Sequence, residues 1–321
     1  MRDIDLRPEM ERYLRVLEEA RFARPPWGVF SSGAGNEMYA PATHLAFNTP
    51  AYLFAGMLIR RGDPPGRHLD LGCGSGYDIA YLKEHFSPAA FVSGIDRSPA
   101  QLRYALKHYS RSGLVFTTAD NRCLPFKNES FDTVTGILSI VHNMTQPVAR
   151  VCLVEISRIL KPNGILIFST PNRELFQDLY HDNPDDDPRL RFISRFLHEY
   201  TREGLSSFLG SLTGGEEKPF ESYTITGLAN TAFRQAWEET VSSMRKARFR
   251  SPGEVTVLST LARRFLPTGF GAWYFYRVLA RALRRSGVSL TDIARNARVN
   301  PESKGITADQ FMAVAQKRGG A

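Results

Sequence analysis

The stretch His68-Leu-Asp-Leu-Gly-Cys-Gly-Ser-Gly-Tyr-Asp78 decides the fold. Its first residues form a short, largely apolar strand, and Gly72, Gly74 and Gly76 then break the chain into a tight turn. Glycine enters left-handed backbone conformations without the steric penalty of a Cβ and lets a ligand approach the main chain closely. Tyr77 begins a helical pattern whose first N–H groups lack intrahelical partners. Strand, glycine turn and helix start together predict a ligand cradle. A second strand ends in Gly94-Ile-Asp96, twenty residues past Gly76, the offset at which a carboxylate reaches a ribose diol.

Outward from this turn, apolar runs alternate with helical stretches. Strands are expected over 68–71, 91–95, 114–118, 133–138 and 164–169, and helices over 77–85, 99–109 and 148–160. This alternation specifies an α/β fold, a Rossmann-like, doubly wound sheet covered by helices. Upstream, Leu6, Met10, Tyr13, Leu14 and Leu17 mark an amphipathic helix within residues 5–22. Residues 27–50 read as loop and 51–61 as a second helix.

A nicotinamide dinucleotide turn calls for Gly-x-Gly-x-x-Gly, and Tyr77 stands where its third glycine belongs. The spacing Gly-x-Gly-x-Gly instead resembles motif I of the class I S-adenosylmethionine-dependent methyltransferases, whose cofactor has no pyrophosphate to seat on a helix N-terminus. The resemblance covers most of residues 62–226 and returns near Phe311; Phe131-Asp-Thr-Val134 matches the fourth-strand signature and Leu160-Lys-Pro-Asn-Gly164 through Asn172 the fifth. It implies that Asp70 faces the methionine ammonium, Asp96 the ribose, and Asp120 the adenine amino group, with the Asn121 N–H beside it. Gly72, Cys73, Gly74, Gly76, Arg97 and Ser139 complete the implied cofactor set, although Cys73 taken by itself is only a small residue between turn glycines.

The resemblance further implies a seven-stranded sheet, with strand six at 220–226 and an antiparallel last strand at 310–316. About eighty residues separate these two, too many for an unstructured loop. The expected organisation is an N-terminal helical cap with a substrate loop (1–61), a cofactor-binding core (62–226), a basic helical insertion acting as lid or dimer contact (227–307), and the last strand with its tail (308–321).

For the methyl acceptor, strand four is followed by Leu138-Ser-Ile-Val-His-Asn-Met144 in place of the Asp/Asn-Pro-Pro-aromatic motif of amino-methylating nucleic-acid enzymes, and the chain has no Pro-Cys dipeptide for cytosine-C5 chemistry. A histidine here resembles the branch acting on sugars, quinones and other natural products. The ordinary imidazole pKa of about 6.5 suits His142 to take a hydroxyl proton, and a hydrogen-bonded structural histidine is the competing reading. Tyr39, His44 and His198 are further candidates; Phe196 occupies the place where the family usually has the last of these. Asp182, Asp185, Asp186 and Asp187 read as a solvated loop cluster, or as a contact for a cationic substrate.

Composition sets the remaining bounds. The chain has 321 residues, 42% hydrophobic and 23% charged, the balance of a globular protein. Three widely spaced cysteines give no disulfide framework and no zinc pattern, so no metal is expected and the cytoplasm is the simplest compartment. No apolar run is long enough for a signal or transmembrane segment. The net charge of +8 resides in residues 227–286, where eleven Lys and Arg face three Glu. Aromatic residues in the same segment, from Trp237 to Tyr276, read as packing on the body or across a homodimer in preference to peripheral membrane contact. Leu290 to Pro301 resembles the start of a helix-turn-helix, but Gly305 breaks any recognition helix. The expected function is methyl transfer from S-adenosylmethionine, leaving S-adenosylhomocysteine, to a hydroxyl, in preference to an amine, of a small biosynthetic molecule. A nucleic-acid-associated or regulatory protein using the basic insertion is the alternative.

Overall fold

A computed structural model describes residues 4–18, 30–32, 35–37, 44–59, 66–174 except 89, 112 and 141–144, 200–246 except 216–217, and 281–319. Eight strands among them form one sheet: β1 (Arg67–Leu71), β2 (Phe91–Asp96), β3 (Leu114–Thr118), β4 (Phe131–Gly136), β5 (Leu160–Pro171), β6 (Ser222–Asn230), β7 (Ala297–Val299) and β8 (Gln310–Gln316). Their order is 3-2-1-4-5-8-6-7. The pairs β3–β2, β2–β1, β1–β4 and β4–β5 are parallel, while β8 runs antiparallel to β5 and β6, and β7 antiparallel to β6. Strand order reverses at β1, which places the Gly72 turn at the switch point where open α/β sheets bind ligands.

β1 is buried on both faces, as a central parallel strand must be, and this explains its nearly continuous apolar reading. On one face, α1 (Arg7–Glu18), α2 (Thr49–Ile59), α3 (Tyr77–His85) and α4 (Pro99–Tyr109) share a core with Ile167, Leu228 and Met312. On the other, Cys152, Leu153 and Ile156 of α5 (Gln146–Ile159) and Leu205 and Phe208 of α6 (Arg202–Gly210) pack on Leu166, Phe168 and Phe311.

Three expectations change. Residues 27–50 are not all loop: Phe30–Ser32 pairs with Gly35–Glu37, and a π-helical turn, His44–Asn48, leads into α2. Pro50 lies in the first helical turn, where its missing N–H costs nothing. Strand six extends to Asn230 because Leu228 and Ala229 still pair with β7. The sheet has eight strands in place of seven, since the segment read as resembling a helix-turn-helix is a short helix, α8 (Leu290–Arg295), followed by edge strand β7.

The described part of the insertion is fastened to the body. Asn230 ends β6 and accepts a hydrogen bond from Phe233 N at 3.2 Å, which starts α7 (Thr231–Lys246). Trp237 packs edge-on against Phe47 and is buried. Arg234 of α7 pairs with the buried Asp309 just before β8, and Asn230 N donates to the same carboxylate. Residues 247–280, with most of the aromatic residues and five of the eleven basic residues singled out above, lie outside the described residues. No helix among the described residues is long and apolar enough to cross a membrane.

Candidate cofactor and active site

The glycine turn leaves β1 in left-handed conformations, with φ of 73° at Gly72, 56° at Gly74 and 81° at Gly76. Gly72 N and Cys73 N both donate to Ile95 O, at 2.8 and 2.9 Å, which ties the turn to the end of β2. Asp96 fixes it further: Oδ2 accepts from Gly74 N at 3.0 Å and Oδ1 from Ser98 N at 2.7 Å. One carboxylate therefore holds the turn and the start of α4 together. Burial pushes the Asp96 pKa upward, and the two backbone donors oppose that shift.

At Gly72 and Gly76 the protein's own packing also calls for glycine. A Cβ on Gly72 would lie 2.5 Å from Ser139 Cβ, one on Gly74 2.9 Å from Gln101 Oε1, and one on Gly76 2.8 Å from Ala105 Cβ and 2.9 Å from the Phe116 ring. At Gly72 and Gly76 the space a side chain would need is thus taken up by the protein itself. Ser139 also donates to Leu71 O, so it braces the turn from the β4 side. Cys73 is buried, its Sγ against Gly94, and burial raises its thiol pKa well above the ordinary value. It fills space beneath the turn.

Asp70 has no exposed surface. Its oxygens accept from Thr135 Oγ1 and from Tyr52 OH, at 2.5 and 3.0 Å, which holds the carboxyl group beneath the turn. Burial lifts its pKa to about 7 against the opposing hydrogen bonds from Thr135 and Tyr52. Thr135 Oγ1 also lies 3.2 Å from His68 Nε2, and burial lowers the His68 pKa to about 4. His68, Thr135, Asp70 and Tyr52 form one buried polar chain below the glycine turn.

At the end of β3, Asp120 is engaged by Arg122, with Nη2 2.7 Å from Oδ2 and Nε 3.0 Å from Oδ1, and these bonds hold its pKa near 2. Asn121 follows in the same turn, half-buried, and Arg97 projects into solvent beside Asp96. Among the proton-acceptor candidates, His44 lies on the π-helical turn with Nε2 3.0 Å from Asp78 Oδ1 and 3.2 Å from Tyr13 OH; Tyr13 donates to the same Asp78 oxygen. The N-terminal cap is thereby bonded to the first turn of α3, directly after Gly76. Tyr39, His142 and His198, and the acidic cluster at 182–187, lie outside the described residues.

Sequence reasoning missed Tyr52, Asp78, Gln101, Arg122 and Thr135. Asp78 and Gln101 carried a signal, as polar residues in the first turns of the helices after the two ligand strands; Tyr52 and Thr135 had none, since only the fold brings them to Asp70. Among the described residues, no group of three His, Cys, Asp or Glu is placed to hold a metal ion.

Residues 69–164 match the methyltransferase domain family. The phthiotriol/phenolphthiotriol dimycocerosates methyltransferase of Mycobacterium leprae is 35% identical over 103 residues, 32% of this chain and 37% of that protein. The fatty-acid O-methyltransferase of Mycolicibacterium smegmatis is 31% identical over 103 residues, 32% and 36% of the two chains. The malonyl-[acyl-carrier protein] O-methyltransferase of Hahella chejuensis is 36% identical over 113 residues, 35% and 39%. The chain thus aligns with little more than a third of these curated relatives. Among solved structures, an S-adenosylmethionine-dependent methyltransferase from Thermotoga maritima superposes with a TM-score of 0.48 at 16% identity, over 98% of each chain.

Proposed function

Through residues 69–164 this chain belongs to the class I S-adenosylmethionine-dependent methyltransferases, and we propose that it transfers the methyl group of S-adenosylmethionine to an oxygen of a small molecule. The observation that carries the reading is the turn itself: three left-handed glycines tied to the end of β2 through Ile95 O and Asp96 Oδ2, while Asp96 Oδ1 holds the start of α4. The donor chemistry of the cofactor fits the acceptors gathered there. An ammonium, a ribose diol and an adenine amino group all donate hydrogen bonds, and carboxyl groups able to accept them stand at the ends of β2 and β3, Asp96 and Asp120, with Asp70 buried at the end of β1.

When bound, the cofactor supplies a methyl already activated on a sulfonium, so the chain's work is to position the acceptor and receive a proton. Asp96 would hold the ribose and keep the turn in register. Asp120, kept ionised by Arg122, would meet the adenine edge together with the Asn121 N–H. Asp70 would favour its charged form as an ammonium approaches, by the ordinary effect of an opposite charge on a buried carboxyl. His142 is the first assigned proton acceptor, with His44, Tyr39 and His198 behind it; for His44, Asp78 fixes the ring orientation.

Oxygen is favoured as the acceptor atom because two of the relatives named above are O-methyltransferases, and a hydroxyl or carboxyl oxygen on a lipid-like or natural-product skeleton suits that comparison. The insertion leaves β6 and returns to β8 at the same sheet edge as the glycine turn, which supports a role in covering the acceptor. The test is incubation with methyl-labelled cofactor and a panel of long-chain fatty acids, hydroxylated lipids, sugars, quinones and amines. Label should enter an ester or ether; label found only in amines would overturn the oxygen assignment.

A further inference from the structure

Asp70 and Asp78 bracket the glycine turn, and each accepts a hydrogen bond from a tyrosine of the N-terminal cap: Tyr52 OH donates to Asp70 Oδ2 and Tyr13 OH to Asp78 Oδ1, both at 3.0 Å. The first pair is the more deeply sealed, with Tyr52 4% exposed and Asp70 not at all. Tyr52 belongs to α2, whose sequence Thr-Pro-Ala-Tyr-Leu-Phe-Ala-Gly-Met-Leu-Ile offers only two polar side chains. Thr49 Oγ1 turns back to His44 O within the cap, so the Tyr52 hydroxyl is the polar group through which this helix reaches β1. Phenylalanine would fill the same space without a hydroxyl to desolvate. The other donor to Asp70 is Thr135 of β4, which also meets His68 of β1. Asp78 of α3 and Asp96 of β2 face the carboxyl and, together with burial, favour its protonated form, while Thr135 and Tyr52 favour the charged one. Cys73 beside it stays a neutral thiol.

Resting on the methyltransferase reading, we infer that Tyr52 is a positioning residue: its hydroxyl holds the Asp70 carboxylate oriented and charged for the ammonium of the bound cofactor, so that the N-terminal cap acts on the amino-acid end of the cofactor and not on its nucleoside. A cation arriving at the turn draws Asp70 to its charged form, and the proton that the buried carboxyl held leaves for solvent. With the Asp70 pKa at about 7, about half of the free protein carries that proton at pH 7. Removing the Tyr52 hydroxyl withdraws one of the two donors and raises this pKa further, so the cation must displace more of the proton. At a pH where Asp70 is already charged in the free protein, the hydroxyl has little left to contribute to affinity. Tyr52 thus couples the cap to the cofactor with a dependence on pH and on ligand charge that a packing role lacks.

The experiment is calorimetric titration of the full chain with S-adenosylhomocysteine and with methylthioadenosine, which keeps the nucleoside and lacks the amino acid, each in two buffers of different ionisation enthalpy so that released protons are counted. At pH 7 the native chain should release about half a proton more with S-adenosylhomocysteine than with methylthioadenosine. Tyr52→Phe should weaken S-adenosylhomocysteine about tenfold at pH 7, the loss of one hydrogen bond to a charged group, and should release more of the proton. At pH 9 it should match the native chain within about twofold, and its affinity for methylthioadenosine should be unchanged. Equal affinity for S-adenosylhomocysteine at pH 7, equal weakening of both ligands, or a loss that persists in full at pH 9 overturns the inference. If the variant does not fold, the proton count on the native chain decides, and the same release with both ligands overturns it. Failure of the native chain to bind either ligand refutes the methyltransferase reading itself, and this inference with it.

Discussion

Replacing Asp70 by Asn should change how stability depends on pH, and the buried chain beneath the glycine turn sets the size of the change. Burial raises the Asp70 pKa from 3.8 to about 7. Between those values the folded chain holds a proton that the unfolded chain has released, so stability falls as pH rises through this window. At about 1.4 kcal/mol per pKa unit the full loss is about 4 kcal/mol. His68 works in the opposite sense: burial lowers its pKa from 6.5 to about 4, the unfolded chain binds the extra proton, and stability rises by about 3 kcal/mol over pH 4 to 6.5. In the native protein the two slopes nearly cancel over their common range. Asp70→Asn removes only the falling slope. The amide is isosteric, and Tyr52 OH can turn to accept from it, so any cost of exchanging the carboxyl is a constant offset that drops out of the pH dependence. Urea unfolding of both proteins at pH 4.5, 5.5, 6.5 and 7.5 should show the variant gaining on the native chain by about 3 to 4 kcal/mol from the lowest to the highest pH. A difference that stays flat, or that shrinks with pH, would refute the assignment of Asp70 as a buried, proton-holding carboxyl.

Gly72→Ala should cost about 3 kcal/mol or more, since it combines a left-handed φ with a 2.5 Å approach to Ser139 Cβ, whereas Gly214→Ala, with a φ of 70° and nothing within 4 Å, should cost only about 1 kcal/mol; thermal unfolding compares the two. Arg234→Ala strips the buried Asp309 of its ion pair and should destabilise by about 3 to 5 kcal/mol at pH 8. Because burial already lifts the Asp309 pKa to about 6, the loss should be visibly smaller at pH 5, where the carboxyl takes up a proton; equal losses at both pH values would contradict the buried pair. Replacing residues 247–280 with a short Gly-Ser link should leave S-adenosylhomocysteine binding within about twofold and abolish turnover of the true acceptor, measured by methyl-label incorporation. Retained full activity would remove the insertion from the acceptor site.

The core was legible because its signals are local. Each parallel strand is an apolar run, each helix start follows a turn residue, and Gly72, Gly74 and Gly76 stand at a spacing that few folds require. What escaped depends on long-range contact. β7 is three residues long and becomes a strand only because β6 offers it an edge, so no pattern in Ala297–Val299 announces it. Pro50, read as the end of a loop, serves equally as the start of a helix, and only the packing of Leu53 and Phe54 decides between the two. At the site, Asp70 and Asp96 were identifiable as carboxylates at strand ends. That one is sealed by Tyr52 and Thr135 while the other clamps the turn follows from residues as far as 65 positions away. The reason for the glycines was also hidden, because Ser139, Gln101 and Phe116 take up their missing side-chain space only once the sheet is assembled.

The central claim, that the clamped glycine turn binds S-adenosylmethionine, is tested most directly by calorimetric titration of the chain and its Asp96→Ala variant with S-adenosylhomocysteine. One molecule should bind per chain, and Asp96→Ala should weaken it roughly ten- to a hundredfold, as expected for lost charge-assisted hydrogen bonds, in a variant that circular dichroism shows to be folded. No binding to the native chain, or unchanged affinity in the folded variant, would contradict it.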